Sequence, residues 1–301
     1  MSSIFIFPGQ GSQAVGMGRE LFDNSPAARE VFDAVDDALG QKLSDIIFNG
    51  PIEELTLTAN VQPAIFATSM AMLRAAQQNG LAQNFAFVAG HSLGEYIALC
   101  AAGALTLSDT AKLLRLRGES MQRAVPVGCG AMAVIMGLEI DGLQKICRDA
   151  ESGTGGVCDI ANDNAPGQTV ISGAKPAIDM AMELARAAGA RRAMLLPLSV
   201  PPHSRLMESV ADEMRDALSK IDMKPPAVPL ISNKTCAPMT DPDEIKDALV
   251  YQITHGVRWR ETILALPALG VTETIEIGPG NILSGLVQRI EPGIIAKKLE
   301  V

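Results

Sequence analysis

Short apolar runs alternate along the chain with longer segments whose apolar residues stand three and four positions apart. The short runs predict buried strands, at 4–7, 85–89, 225–232 and 274–277. The longer segments predict helices, at 27–39, 64–79, 93–104, 108–122, 204–221 and 241–252. Strands that alternate with helices favour a mainly parallel sheet with helices on both faces, in which functional loops gather at the carboxyl ends of the strands.

A different order of elements occupies the middle of the chain. Strands are predicted at 130–138, 157–162, 169–173 and 191–196, and helices at 141–150 and 176–188. This β-α-β-β-α-β order is that of a ferredoxin-like unit. We therefore predict an α/β protein with a core formed by residues 1–126 and 198–301. A ferredoxin-like subdomain, residues 127–197, is inserted between Pro126 and Pro197.

Composition narrows the class of function. The 301 residues are 48% hydrophobic and 20% charged, as in ordinary globular enzymes. The net charge of −9 argues against nucleic acid as a partner, because phosphate binding needs a basic face. Five cysteines without a C-x-x-C pair indicate reduced thiols and predict neither disulfides nor a metal site. Since the sequence shows no secretory signal and no apolar run long enough to span a bilayer, we expect a cytoplasmic protein without a membrane partner.

The stretch Gly90-His-Ser-Leu-Gly94 reads G-x-S-x-G and lies between a predicted strand and a predicted helix. Strand, sharp turn and helix form the context of a nucleophile elbow, which exposes Ser92 at the edge of the sheet. The pattern also arises by chance. A glycine-rich turn with a capping serine is therefore the alternative.

A serine nucleophile needs a base, and the chain has three histidines. His91 adjoins Ser92, and the turn should aim its side chain elsewhere. His203 follows the loop 199–202 at a helix start, downstream of the serine as in α/β serine enzymes, whereas His255 lies in a loop-like stretch. The residues favour His203 and leave His255 as the alternative. No acidic residue stands out as a third member, so a backbone carbonyl or an amide could orient the imidazole.

Arg117 shares an apolar helical stripe with Leu114 and Met121, whereas Arg115 lies on a more polar face. A guanidinium on an apolar face is costly unless it meets an anion. The functional interpretation is a group that awaits a substrate carboxylate. The structural alternative is a snorkelling arginine or one paired with an internal carboxylate.

Together these residues resemble the malonyl-CoA:acyl-carrier-protein transacylases of fatty-acid synthesis and the related acyltransferase domains of polyketide synthases. The resemblance runs over nearly the whole chain. It rests on the following residues and stretches: Phe7-Pro-Gly-Gln-Gly-Ser-Gln13, Gln62-Pro-Ala64, Gly90-His-Ser-Leu-Gly-Glu-Tyr96, Arg117, Asn162, His203, Val257-Arg-Trp259 and Glu276-Ile-Gly-Pro-Gly280.

The resemblance implies an α/β-hydrolase-like core with a mainly parallel sheet plus an inserted ferredoxin-like subdomain. It also implies ping-pong transfer of a malonyl group through an ester on Ser92, with His203 as the base. The other implied roles are orientation of the histidine by the backbone carbonyl of Gln252, an oxyanion hole from the backbone N–H groups of Gln10 and Leu93, and substrate binding by Arg117, Met121, Asn162 and Gln62.

The resemblance further implies no bound cofactor. Malonyl-CoA is the expected substrate, the phosphopantetheine thiol of acyl carrier protein the acceptor, and a monomer the expected state. Because carrier proteins of this family are acidic, the docking face should be basic. Two candidates are the arginines at 186, 191 and 192 and the lysines at 297 and 298.

One residue departs from the family pattern, because Pro202 stands where serine usually precedes the histidine. Selectivity for the acyl group is therefore not fixed by the resemblance. Independently of Pro202, service to a polyketide pathway or to malonate decarboxylase is an alternative within the transacylase class. Two other classes stay as alternatives. A serine thioesterase would use water as the acceptor, and a non-catalytic carrier-binding module would have no need of Ser92, His203 and Arg117 together.

Overall fold

A computed structural model describes residues 2–198 and 200–301. Met1, the first residue of the predicted core, and Ser199, in the loop before His203, lie outside this description. Sheet A of the core has the strand order β10-β9-β1-β2-β7-β8, and its strands are parallel except for β8. Its strands are β1 (Ser2–Phe7), β2 (Phe87–Gly90), β7 (Leu230–Ile231), β8 (Pro238–Met239), β9 (Val271–Glu276) and β10 (Ile295–Lys298).

Helices cover both faces of sheet A, and the alternation of side chains along the strands explains why. Phe5 and Phe7 of β1 enter one apolar cluster, whereas Ile4 and Ile6 enter a second cluster on the opposite face. The helices of the core are α1 (Arg19–Asn24), α2 (Pro26–Leu39), α3 (Leu43–Asn49), α4 (Ile52–Leu55), α5 (Thr58–Gln78), α6 (Gly94–Ala101), α7 (Leu107–Ala124), α10 (Glu208–Ser219), α11 (Pro242–Thr254), α12 (Trp259–Ala265) and α13 (Ile282–Ile290).

Sheet B is a separate antiparallel sheet with the strand order β4-β5-β3-β6. Its elements are β3 (Gly130–Met136), α8 (Ile140–Thr154), β4 (Cys158–Ala165), β5 (Gln168–Ala174), α9 (Lys175–Ala187) and β6 (Arg192–Leu195). The mixed α/β fold with a mainly parallel sheet and an additional antiparallel unit is therefore confirmed. The exact domain limits, 127 and 197, stay a prediction.

The two faces of sheet B have different roles. Alternate residues of β3, Ala131, Ala133 and Ile135, pack beneath α8 and α9. The intervening Met132 joins a smaller cluster on the opposite face, with Val134 packed against it. That second face is turned toward the core, and it forms one wall of the cavity described below.

Several predicted element limits were wrong. Helix α5 begins at Thr58 and continues through Pro63. A proline near a helix start removes one hydrogen bond, and burial of nearly the whole helix offsets that loss. The strand expected at 225–232 is reduced to Leu230–Ile231, since three prolines in that stretch lack the donors a ladder needs. The helix expected at 204–221 opens with a 3₁₀ turn, Arg205–Met207, before α10. Seven further elements had not been predicted: α1, α3, α4, α12, α13, β8 and β10.

The sequence predicts no membrane partner, and the helices of the described residues bear on this prediction. None of them is both long and apolar enough to cross a bilayer.

Candidate active site

The turn between β2 and α6 has the geometry of a nucleophile elbow. Ser92 adopts a left-handed backbone conformation with φ of 57°. A Cβ atom on Gly90 would lie 1.9 Å from the carbonyl carbon of Gly94, and one on Gly94 would lie 2.3 Å from the carbonyl oxygen of Phe7. Both glycines are therefore required by backbone crossing within the turn and against β1.

Asn233, just beyond β7, holds this elbow from the neighbouring strand. Its Oδ1 accepts the backbone N–H of Ser92 at 3.1 Å, and its Nδ2 donates to the carbonyl oxygen of Gly90 at 2.9 Å. The amide is buried, so both bonds are shielded from water. One side chain thereby fixes the backbone on both sides of His91.

The imidazole of His203 reaches the serine. His203 Nε2 lies 2.7 Å from Ser92 Oγ, and His203 Nδ1 lies 2.6 Å from the backbone carbonyl oxygen of Gln252. Because a carbonyl can only accept, the proton is on Nδ1 and Nε2 is free to accept the serine proton. His255, the alternative base, is exposed and stacks on Tyr251 outside this site.

Burial strongly affects the basicity of His203. Desolvation, followed by the nearby positive charge of Arg117, lowers the pKa of His203 to about 3. The ring is therefore neutral at neutral pH, which is the form a general base requires. His91 has a different environment, since its Nε2 lies 2.8 Å from Asn164 Oδ1.

Arg117 extends from α7 to the serine and is only 2% exposed. Its Nη1 donates to Gln62 Oε1 at 2.7 Å, and its Nη2 donates to Ser92 Oγ and to Gln252 Oε1, both at 3.1 Å. Gln62 is held in turn by a 3.6 Å contact from its Nε2 to Met121 Sδ. Burial lowers the pKa of Arg117, but a guanidinium remains charged at any pH of interest.

A buried carboxylate lies behind these groups. Glu95 accepts the backbone N–H of Asn233 at 2.7 Å and the side-chain N–H of Gln252. Desolvation raises the pKa of Glu95 to about 7, against the opposing effects of these hydrogen bonds and of Arg117. Its charge therefore changes within the physiological range.

Ser92, His203 and Arg117 line a cavity of about 260 Å³ between the core and sheet B. The wall from sheet B and the chain after it combines apolar side chains with the amides of Asn162, Asn164 and Gln168, and α13 contributes a second, apolar wall. Hydrogen bonds between β4 and the core position that wall, because Val257 donates to Ala161 at 2.9 Å and Asp163 donates back to Val257 at 3.0 Å. The apolar lining residues include Pro8, Leu93, Met121, Met132, Val134, Val170, Leu196, Leu198, Pro202, Ile282, Leu283 and Leu286.

Comparison with known proteins identifies the family. Residues 4–291 match the acyl transferase domain. The chain is 48% identical over 291 residues to the malonyl CoA-acyl carrier protein transacylase of Bacillus subtilis, covering 96% of this chain and 91% of that protein. The chain belongs to the acyl transferase family.

Solved structures agree with this assignment. An acyl-carrier-protein S-malonyltransferase from Bartonella henselae matches with a TM-score of 0.97 and 51% identity, over 100% of this chain and 96% of that chain. A malonyl-transacylase in complex with a type II PKS acyl-carrier protein matches with a TM-score of 0.96 and 38% identity, over 100% of this chain and 97% of that chain. This acyl transferase therefore has solved relatives over its whole length.

The acyl transferase brings the predicted site residues together around one cavity. Gln252 lies behind the wall and acts through its carbonyl and its amide. The others line the cavity: Gln10, Gln62, Ser92, Leu93, Arg117, Met121, Asn162 and His203. Within residues 2–198 and 200–301, the backbone N–H groups of Gln10 and Leu93 donate to no protein acceptor. Both are therefore free to meet a ligand oxygen.

Sequence reasoning gave no role to three residues that shape this acyl transferase site. Asn233 follows the carboxyl end of a strand, which is where functional groups of a parallel sheet gather, but its strand is only two residues long. Glu95 is an acid in an otherwise apolar helix, a signal of the kind that singled out Arg117. For Asn164 we find no comparable signal.

Proposed function

We propose that this acyl transferase moves a malonyl group from malonyl-CoA to the phosphopantetheine thiol of an acyl carrier protein, by a ping-pong mechanism through an ester on Ser92. The names of its relatives support this activity. The observation that carries it is the buried guanidinium of Arg117, which lies 3.1 Å from the hydroxyl that His203 also reaches.

Arg117 provides the selectivity for a carboxylated acyl group. A malonyl carboxylate can pair with the guanidinium inside the protein, where a charge-assisted bidentate contact is strong. An acetyl group bound in the same place has no carboxylate and leaves the guanidinium without an anion. Discrimination of this kind amounts to orders of magnitude, because a buried polar group loses its partner.

Acylation begins with proton transfer from Ser92 Oγ to His203 Nε2 while Oγ attacks the thioester carbon. The resulting tetrahedral oxyanion is bound by the N–H groups of Gln10 and Leu93. Each such donor contributes about 3 kcal/mol to transition-state stability. Collapse then breaks the carbon–sulfur bond, and the departing CoA thiolate takes the proton from the imidazolium.

Deacylation repeats the sequence in reverse. The thiol of the carrier's phosphopantetheine gives its proton to His203 Nε2, and its sulfur attacks the ester carbon. A second oxyanion forms in the same hole, and Ser92 Oγ leaves with the proton from the imidazolium. The apolar side chains of α13 and of sheet B give water fewer polar partners than bulk solvent does, which favours the thiol as the acceptor.

A thioesterase function is disfavoured by the orientation of His203. Among the described residues, no carboxylate contacts the imidazole, since Nδ1 faces a main-chain carbonyl. A water nucleophile, which is less acidic than a thiol, gains more from a full triad with an acid. The carboxylate-binding arginine has no purpose in a general thioesterase.

Intact-mass measurement tests the proposal. The protein is mixed separately with malonyl-CoA, acetyl-CoA and methylmalonyl-CoA, and Ser92→Ala serves as the control. We expect a malonyl adduct on the wild type that is absent from the variant and disappears when holo carrier protein is added. An adduct lost equally fast in buffer would indicate a hydrolase, and no adduct with any substrate would refute malonyl transfer.

For the carrier we propose docking on the exposed arginines at 186, 191 and 192. This patch adjoins β6, whose chain continues into the cavity-lining residues Leu196 and Leu198. The other candidate is weaker, because Lys297 is already paired with Glu273 at 2.5 Å. Charge reversal at Arg191 and Arg192 should raise the KM for the carrier and leave acylation by malonyl-CoA unchanged. An unchanged KM would exclude this patch.

We also propose that the enzyme acts as a monomer in the cytoplasm. One chain supplies every group that the mechanism uses, so catalysis needs no second copy. Five free thiols are in keeping with a reducing compartment. Light scattering after size exclusion, at the concentrations used for assays, tests the monomer.

A further inference from the structure

Glu95 is a buried acid that the proposed mechanism does not use. It is the second residue of α6, and its side chain is fully buried. One carboxylate oxygen accepts the backbone N–H of Asn233 at 2.7 Å, and the other accepts the side-chain N–H of Gln252. Each oxygen therefore faces a donor.

The contact with Gln252 determines which way the Gln252 amide points. Its Nε2 also donates to the carbonyl oxygen of Ser92 at 3.3 Å, and its Oε1 accepts from Arg117 Nη2 at 3.1 Å. The reversed amide would place an NH₂ group against the guanidinium and an oxygen against the carboxylate. Both contacts would be repulsive, so a charged Glu95 fixes one orientation.

We propose that Glu95 is a positioning residue which, by orienting the amide of Gln252, holds the guanidinium of Arg117 where it selects a carboxylated acyl group. This inference rests on the proposed malonyl transfer. It gives Glu95 a role in selectivity and none in the chemical steps at Ser92.

The hydrogen bond that orients the base does not pass through the side-chain amide of Gln252. His203 Nδ1 bonds to the main-chain oxygen of Gln252, which the hydrogen bonds of helix α11 hold in place whichever way the side-chain amide points. Reactivity of Ser92 toward an uncharged reagent should therefore depend on Glu95 much less than the selectivity does. Selectivity and nucleophilicity can be measured separately.

Charge on Glu95 should make selectivity depend on pH. Burial raises the pKa of Glu95 to about 7, so the carboxylate gains a proton as the pH falls through that value. The added proton then faces the N–H group of Asn233 or that of Gln252, so one of these two hydrogen bonds is lost. The titratable or charged groups around Glu95 are Arg117 from α7, Tyr96 from α6 itself and the Cys236 thiol after β7. Arg117 stays charged and the other two stay neutral near pH 7, because burial raises both their pKa values.

The main test is Glu95→Gln, an isosteric change whose NH₂ group must face one of the two donors. We expect kcat/KM for malonyl-CoA to fall about 10- to 100-fold relative to kcat/KM for acetyl-CoA. The rate of Ser92 modification by phenylmethylsulfonyl fluoride should change much less than this ratio of kcat/KM values. Asp36→Asn is the matched control, because Asp36 is a buried acid that accepts from the backbone and hydroxyl of Ser44 away from the cavity.

Coupling to Gln252 provides the second test. In the Gln252→Ala background, Glu95→Gln should change the malonyl-to-acetyl ratio less than twofold, because the amide through which Glu95 acts is gone. Equal effects in both backgrounds would contradict the inference. A parallel loss for malonyl-CoA, acetyl-CoA and the sulfonyl fluoride would show a structural role and also overturn it.

The third test uses the wild-type enzyme, so it does not depend on whether a variant folds. Its malonyl-to-acetyl ratio should decline as the pH falls from 8 to 6, and a ratio independent of pH would contradict the inference. Failure of the proposed function has a distinct signature, since the wild type would then form no malonyl adduct on Ser92 at any pH.

Discussion

His203 is oriented by the main chain of Gln252, with 2.6 Å between its Nδ1 and the carbonyl oxygen. A carbonyl orients the ring and fixes its tautomer, but it carries no full charge to stabilise an imidazolium. Burial of the ring, followed by the positive charge of Arg117, lowers the pKa of His203 to about 3, and the bond to Gln252 only partly opposes this shift. This relationship leads to the first prediction.

The reactivity of Ser92 should show no decline near pH 6.5, the pKa of an ordinary histidine. The neutral ring persists as the pH falls until it approaches about 3, so the base stays competent throughout the range in which the fold survives. The measurement is the second-order rate of inactivation by phenylmethylsulfonyl fluoride between pH 5 and 8. A sigmoidal loss centred near 6.5 would contradict the prediction.

The same shift should appear in stability. Because the pKa of His203 is lower in the folded chain, the unfolded chain binds more protons between about 3 and 6.5. The neutral ring therefore contributes stability that is fully present above 6.5 and is lost as the pH falls through this window. Urea unfolding at several pH values should show a smaller acid-side decline in His203→Asn than in the wild type.

Arg117 and Arg115 form a matched pair on one helix. Arg117→Ala should reduce kcat/KM for malonyl-CoA by about 100-fold or more, because the carboxylate loses its counter-charge, and should leave acetyl-CoA less affected. Arg115→Ala should leave the ratio of the two substrates unchanged, since Arg115 bonds Asn60 and Gln41 away from the cavity. If the ratio of kcat/KM for malonyl-CoA to that for acetyl-CoA were equal in the two variants, Arg117 would have no role in substrate selection.

Gly94 and Gly142 should respond in opposite directions to the same methyl group. Gly94→Ala places a Cβ 2.3 Å from a backbone oxygen and should destabilise the fold by about 3 kcal/mol. Gly142→Ala, in α8 with open space around it, should stabilise the fold by about 0.5–1 kcal/mol. Chemical denaturation measures both, and a tolerated alanine at 94 would contradict the elbow geometry.

Asn233 should matter for the rate of acylation more than for substrate binding. Asn233→Ala removes both hydrogen bonds that fix the backbone around Ser92, and we expect kcat to fall about 10- to 100-fold with a small change in KM. Asn24→Ala is the control, because that amide donates to the main-chain carbonyl of Glu20 in an exposed helix away from the elbow. Stopped-flow acylation by malonyl-CoA distinguishes the two. A change confined to KM would contradict the role of Asn233.

The order of strands and helices was readable from the sequence where periodicity is long and regular. Prediction from periodicity failed at short or proline-rich elements. Leu230–Ile231, for example, forms a strand because neighbouring strands offer partners, and not because the local sequence favours a strand. Helix α13 was also missed, although its residues form a wall of the cavity. Tertiary contacts decided these elements.

The sequence by itself determined the elbow around Ser92, the apolar stripe that carries Arg117 and the α/β order of the chain, because each depends on local spacing. Local spacing left His255 as an alternative to His203, and the family resemblance implied His203 together with the carbonyl of Gln252. The tertiary structure placed those two groups at Ser92, and only the tertiary structure brought Asn233 to the elbow and set Gln252 against Glu95. The physical reason is that hydrogen bonds between residues more than a hundred positions apart leave no periodic signal in the chain.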